Sequence, residues 1–123
     1  ESLQINENGD IIEIGSKASK FQEIEGQYIG LTKVTARGAS VLRDIYYRAK
    51  KKGVLNGKPL HSAYFTDLLQ EVIRQGNIVK AIPFSETWVE IDTVEDLNSE
   101  VTRQRVKEID AELEALNSAG LSS

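Results

Sequence analysis

The chain has 123 residues, 40% hydrophobic and 28% charged, the balance of one ordinary folded domain and far from that of a disordered chain. Nineteen acids against fifteen bases leave a net charge of −4, which disfavours a nucleic-acid surface built on a basic surplus. The absence of cysteine excludes disulfides, thiolate metal sites and cysteine nucleophiles, and the single His61 excludes a histidine-rich metal site and leaves one candidate base for any serine triad.

The opening predicts a hairpin: Leu3 and Ile5 alternate with polar neighbours, Asn8-Gly9 accepts positive φ, and Ile12 and Ile14 resume the alternation. Gly15 to Glu25 is mixed in polarity and is expected to be a loop. Gln27 to Val34 is aromatic and β-branched and predicts a strand, with Gly30 marking a bulge or a close approach. From Thr35 to Lys52 the period becomes helical. Val41, Leu42, Ile45, Tyr46 and Ala49 share a face, and Gly53 supplies the stop. Arg48, Lys50, Lys51 and Lys52 fall in the last turn, where cations complement the helix dipole, so capping is favoured over a phosphate site. Gly53 to Leu60 predicts a loop, and a second helix begins near Ser62, carries Phe65, Leu68, Leu69, Val72 and Ile73, and ends at Gly76. Asn77 to Phe84 and Thr87 to Asp92 predict two further strands. Thr93 predicts an N-cap, with Asp96 completing a capping box, and a helix from Val94 to about Asn117 carries Val106, Ile109, Leu113 and Leu116 at three- and four-residue steps. One domain over 1–117 with a disordered tail over 118–123 is the expected organisation.

No apolar run approaches the roughly 18 residues that span a membrane, and no signal-peptide pattern opens the chain. A cytoplasmic protein with neither membrane nor nucleic-acid partners is expected. The chain begins Glu1-Ser2-Leu3 and contains no Met, which suggests a piece of a longer polypeptide.

The stretch Trp88 to Leu97 is the most informative for chemistry. On a strand, Trp88, Glu90 and Asp92 share one side, while Val89 and Ile91 share the side that belongs in a core. Two carboxylates at i and i+2 then stand where a strand gives way to a helix, the place where ligands bind in open α/β sheets. Such a pair suits Mg²⁺, which takes one or two protein acids and completes its shell with water and phosphate oxygens. An edge strand with a wet face and an acidic helix start explains the same pattern without a ligand.

The string Trp88-Val89-Glu90-Ile91-Asp92-Thr93-Val94-Glu95-Asp96-Leu97 resembles the second metal-binding motif of the nucleotidyltransferases that activate sugar phosphates, phosphocholine and phosphonates. Asp10 to Lys17 resembles that family's hairpin and lysine loop, Glu25 to Leu31 its Gly-aromatic strand, and Ala63 to Leu69 the helix before its last strands. The resemblance runs in order over about residues 3 to 100, and is strongest to cytidylyltransferase-like domains acting on phosphocholine or aminoethylphosphonate, some of them fused to phosphoenolpyruvate mutases. It implies an α/β fold, a mixed sheet with packed helices forming the C-terminal half of a Rossmann-like domain. The glycine-rich triphosphate loop of such enzymes, with its Arg and Lys, and the Asp that is their first metal ligand have no counterpart here.

By the same resemblance, Asp92 and Glu90 are the expected catalytic and Mg²⁺-binding residues, and Lys17, Glu25, Tyr28 and Trp88 the expected acceptor-binding residues. A carboxylate and aromatic faces would suit a cationic head group. The implied partners are an NTP, CTP foremost, a small phosphate or phosphonate acceptor, and the missing N-terminal half of the domain, without which the fragment is expected to be inactive. Two rivals stand beside this reading: a binding module without chemistry, and an interaction domain that forms a homodimer through its last helix.

Overall fold

A computed structural model describes residues 2–15 and 26–120. Two compact units divide the chain, Glu1–Pro83 and Phe84–Ser123.

In the first unit, β1 (Ser2–Ile5) and β2 (Ile11–Ile14) form the expected antiparallel hairpin, and Gly9 takes φ 76° in its turn. The register jumps from Gln4↔Glu13 to Ile5↔Ile11, so Ile12 is an extra residue on the second strand. Such a bulge reverses the simple alternation: Ile11 and Ile14 are buried, and Ile12 is exposed. β3 (Gly26–Gln27) pairs with the other side of β1, giving the order β2-β1-β3.

The helices follow their sequence signals closely. Thr35 caps α1 (Ala36–Lys52) by accepting from Gly38 N at 3.0 Å, and Gly53 closes it at φ 72°. Ile45 and Ala49 are buried on its predicted face, Val41 and Leu42 are half-buried, and Tyr46 is exposed. The expected loop after α1 is instead a minimal hairpin, β4 (Val54–Leu55) with β5 (Lys58–Pro59). Asn56 and Gly57 both take positive φ, 49° and 76°, in its turn. The Asn-Gly pair was the available signal, since left-handed backbone at both positions matches strand twist. A short 3₁₀ turn (Leu60–Ser62) leads into α2 (Phe65–Arg74). Ile45, Ala49, Leu55 and Val72 form one buried cluster and Ile11, Ile14 and Leu69 another, with Leu42 and Val79 packed against both.

The strands predicted from composition fare worse. Beyond Gln27 the Gln27–Val34 segment leaves the sheet: Gly30 takes φ 88°, and the Tyr28 hydroxyl sits 2.8 Å from Thr32 Oγ1 in a local loop. Asn77–Phe84 makes one antiparallel bridge, Asp10↔Lys80, supported by Ile11 N donating to Val79 O at 2.7 Å and Ala81 N to Gly9 O at 2.9 Å. Val79 and Ala81 pack inward, whereas Ile78 and Ile82 stand 75% and 82% exposed. Thr87–Asp92 forms no ladder. The structure is therefore α/β with two small sheets. The expected mixed sheet is corrected: every strand pairing among the described residues is antiparallel.

In the second unit the expected long helix is two: α3 (Val94–Asn98) and α4 (Glu100–Ser118). Ser99 separates them in extended backbone and caps α4, its Oγ accepting from Thr102 N at 3.1 Å. Thr102 is buried, Ile109 is half-buried, and Val106, Leu113 and Leu116 are exposed. Helix continues through Ser118, while residues 121–123 of the expected tail lie outside the described residues. No helix among the described residues is long and apolar enough to cross a membrane.

Candidate functional site

The acidic segment lies in the second unit and is held at both ends by its own neighbours. At its start, Glu112 of α4 accepts from the Thr87 hydroxyl at 2.6 Å and from Thr87 N at 3.3 Å. Two turns earlier on the same helix, the Arg105 guanidinium lies 5.5 Å from the centre of the Trp88 ring. Residues 105, 109 and 112 fall on one helical face, so α4 grips Thr87 and Trp88 along a single stripe. At the other end, Thr93 caps α3. Asp96 N donates to Thr93 Oγ1 at 3.1 Å, and Thr93 N donates to Asp96 Oδ2 at 2.9 Å, the reciprocal pair the sequence implied. The Thr93 hydroxyl at 2.8 Å and Asp92 N at 3.3 Å add two more donors to Asp96 Oδ2. These contacts, the Thr93 hydroxyl foremost, hold the Asp96 carboxyl below the usual carboxylate range.

Between these anchors Glu90 and Asp92 are exposed, and among the described residues no hydrogen bond or ion pair reaches either carboxylate. They are therefore available to a ligand, while Asp96 is committed to its cap. Among the described residues no cluster of three or more His, Asp or Glu side chains is arranged to hold a metal by itself. The donor chemistry suits Mg²⁺ only as a partial set, two hard carboxylate oxygens that leave most of the shell to phosphate and water.

The expected split into a wet and a dry side is met in part. Val89 is half-buried, but Ile91 is 46% exposed, because no neighbouring strand covers the segment. Trp88 is half-buried with the Arg105 cation over its ring, which disfavours that face as a seat for a second cation. Arg105 carried no motif signal. Its spacing from Ile109 and Glu112 was legible, but what those residues grip was not.

Tyr28 belongs to the first unit, half-buried against Ile11, Ile14 and Leu69 with its hydroxyl turned to Thr32, the environment of a packing residue. Lys17 and Glu25 lie outside the described residues. Asp67, in the first turn of α2, has a structural role. It is 4% exposed and accepts from Tyr64 N at 2.8 Å, Asn56 Nδ2 at 3.1 Å and Lys58 Nζ at 3.0 Å.

Over 103 residues the chain is 35% identical to the CTP:phosphoglutamine cytidylyltransferase of Campylobacter jejuni, a match covering 84% of this chain and 40% of that protein. Whatever its offset, a 103-residue stretch of a 123-residue chain includes residues 21–103, and so the whole acidic segment. The chain spans well under half the length of that relative. No protein-family model matches the chain, and no solved structure does.

Proposed function

We propose that these residues are the acceptor-side portion of a CTP-dependent cytidylyltransferase that loads a small phosphorylated acceptor with release of pyrophosphate. The observation that carries this reading is the 35% identity to a cytidylyltransferase across a stretch that includes the acidic segment. An acceptor phosphate oxygen attacks the α-phosphorus of CTP. A new P–O–P linkage forms, the bond from the α-phosphorus to the oxygen bridging to the β-phosphorus breaks, and pyrophosphate leaves with the electron pair.

Such a displacement asks for in-line positioning and charge neutralisation more than for covalent help from side chains. Asp92 and Glu90 would hold Mg²⁺, which when bound neutralises the phosphate oxygens. The capping box fixes the backbone that presents Asp92, and α4 fixes Thr87 and Trp88, so the carboxylates stand on a braced segment. Lys17 would meet the acceptor phosphate. On the strength of the relative's phosphoglutamine, we add a phosphorylated amino-acid derivative to phosphocholine and aminoethylphosphonate as acceptors to test. The glycine-rich triphosphate loop expected of such enzymes is absent from these 123 residues, so CTP binding falls to the rest of a longer polypeptide.

The test is product identification. The natural polypeptide that contains these residues is incubated with CTP, Mg²⁺ and each acceptor in turn, and the mixture is followed by ³¹P NMR. A new diphosphate linkage appearing with equimolar pyrophosphate supports the reading. CTP left intact with all three acceptors contradicts it, and favours a binding module.

A further inference from the structure

We propose that Arg105, oriented on the Trp88 ring, binds a carboxylate carried by the acceptor in addition to its phosphate, so that the site selects amino-acid-like acceptors; the proposal rests on the transfer reading above. The second unit holds ten acidic residues against three basic ones, Arg103, Arg105 and Lys107. An anionic acceptor approaching Glu90 and Asp92 therefore meets mostly like charge, and needs a fixed cation. Arg103 is exposed and lies 3.6 Å from Glu100. Arg105 differs on both counts. It is half-buried, and among the described residues it makes no ion pair or hydrogen bond.

The acids best placed to neutralise it are engaged elsewhere. Glu108, three residues on, accepts from Gln104 at 2.9 Å, and Glu112, two turns on, is taken by Thr87. The guanidinium is thus oriented by an aromatic face without being neutralised. A guanidinium held this way keeps a planar fork of N–H donors for a carboxylate, a geometry an ammonium lacks. Trp88, which it covers, is two residues from Glu90 and four from Asp92. With the phosphoryl end assigned to those acids, the guanidinium is left for a second anionic group.

Binding is read from the heat of titration. The probes are phosphoserine and phosphoethanolamine, which share a phosphate and an ammonium and differ by one carboxylate. Each is titrated calorimetrically with Mg²⁺ present into the natural polypeptide and into its Arg105→Gln and Arg105→Lys variants. We expect phosphoserine to bind at least about 10-fold more tightly than phosphoethanolamine, the worth of a charge-assisted pair. Arg105→Gln should bring the two within about 2-fold, and Arg105→Lys should recover only part of the difference. Equal responses to both probes, no response to either, or a preference that survives Arg105→Gln would overturn the proposal. The two readings fail separately. Turnover of CTP without carboxylate preference sinks the Arg105 assignment alone. A carboxylate preference that depends on Arg105, without any CTP turnover, sinks the transfer reading and leaves a carboxylate-binding site.

Discussion

At the scale of single residues, Asp67 shows how a buried acid can be wholly structural. Burial pushes its carboxyl up, but donors from Lys58, Tyr64 N–H and Asn56 outweigh that and hold it below its ordinary 3.8. A folded-state pKa lower than the unfolded one adds stability above the unfolded value and loses it as pH falls through the folded value. Asp67→Asn should therefore cost about 1–3 kcal/mol near neutral pH, since Lys58 and the Tyr64 N–H lose their acceptor charge. The gap from wild type should narrow below about pH 4. Urea melts at pH 7 and pH 3 check this, and a gap unchanged between them would show that the charge contributes nothing. The helical pattern of α2 puts Asp67 in its first turn. It could not show that the β4–β5 hairpin delivers Lys58 and Asn56 to it, because that contact depends on the Asn56-Gly57 turn.

At the scale of elements, the helices and the opening hairpin were legible, apart from the break at Ser99, and the later strands were not. Helices carry their own hydrogen bonds and caps, so Thr35, Gly53, Thr93 and Asp96 could be recognised without knowing their neighbours. A strand's ladder belongs to its partners, and aromatic and β-branched residues state only a fitness for a pleated, covered surface. Gln27–Val34, Asn77–Phe84 and Thr87–Asp92 have that fitness, but among the described residues the first pairs only at Gln27, the second makes a single bridge at Lys80, and the third forms no ladder. The candidate site suffered from the same limit. Its capping box and acidic pair were readable, whereas the α4 stripe that braces Thr87 and Trp88 needs the fold. Two substitutions probe the local geometry. Gly57→Ala places a Cβ in open space but at φ 76°, so the cost, about 1 kcal/mol, should be purely backbone and visible as a Tm a few degrees lower. Thr93→Ala removes half of the capping box and should also cost about 1 kcal/mol. If the box positions Asp92, its kcat should fall by more than that stability loss explains, with CTP KM little changed. A kcat equal to wild type would mean that Asp92 is placed by something else.

At the scale of the whole chain, the exposed apolar residues are the main departure from a self-sufficient domain. The Asn77–Phe84 segment is apolar on both faces, with Val79 and Ala81 turned into the core and Ile78 and Ile82 open to solvent. That is the pattern of a strand covered on both sides. Replacing both exposed isoleucines with Lys should leave the Tm of the 123-residue chain within about 2 °C and reduce its concentration-dependent association in sedimentation. A large drop in Tm would place those side chains in the core. Asp92 carries the central claim, that this braced acidic segment serves cytidylyl transfer. The most direct measurement is kcat/KM for CTP-dependent pyrophosphate release by the natural polypeptide and its Asp92→Asn variant, with Mg²⁺ titrated. A loss of about 10²-fold or more, roughly 3 kcal/mol of transition-state stabilisation, with an unchanged Tm is the expected result. Near-wild-type turnover at low Mg²⁺ in the variant would contradict it and return the segment to an acidic helix start.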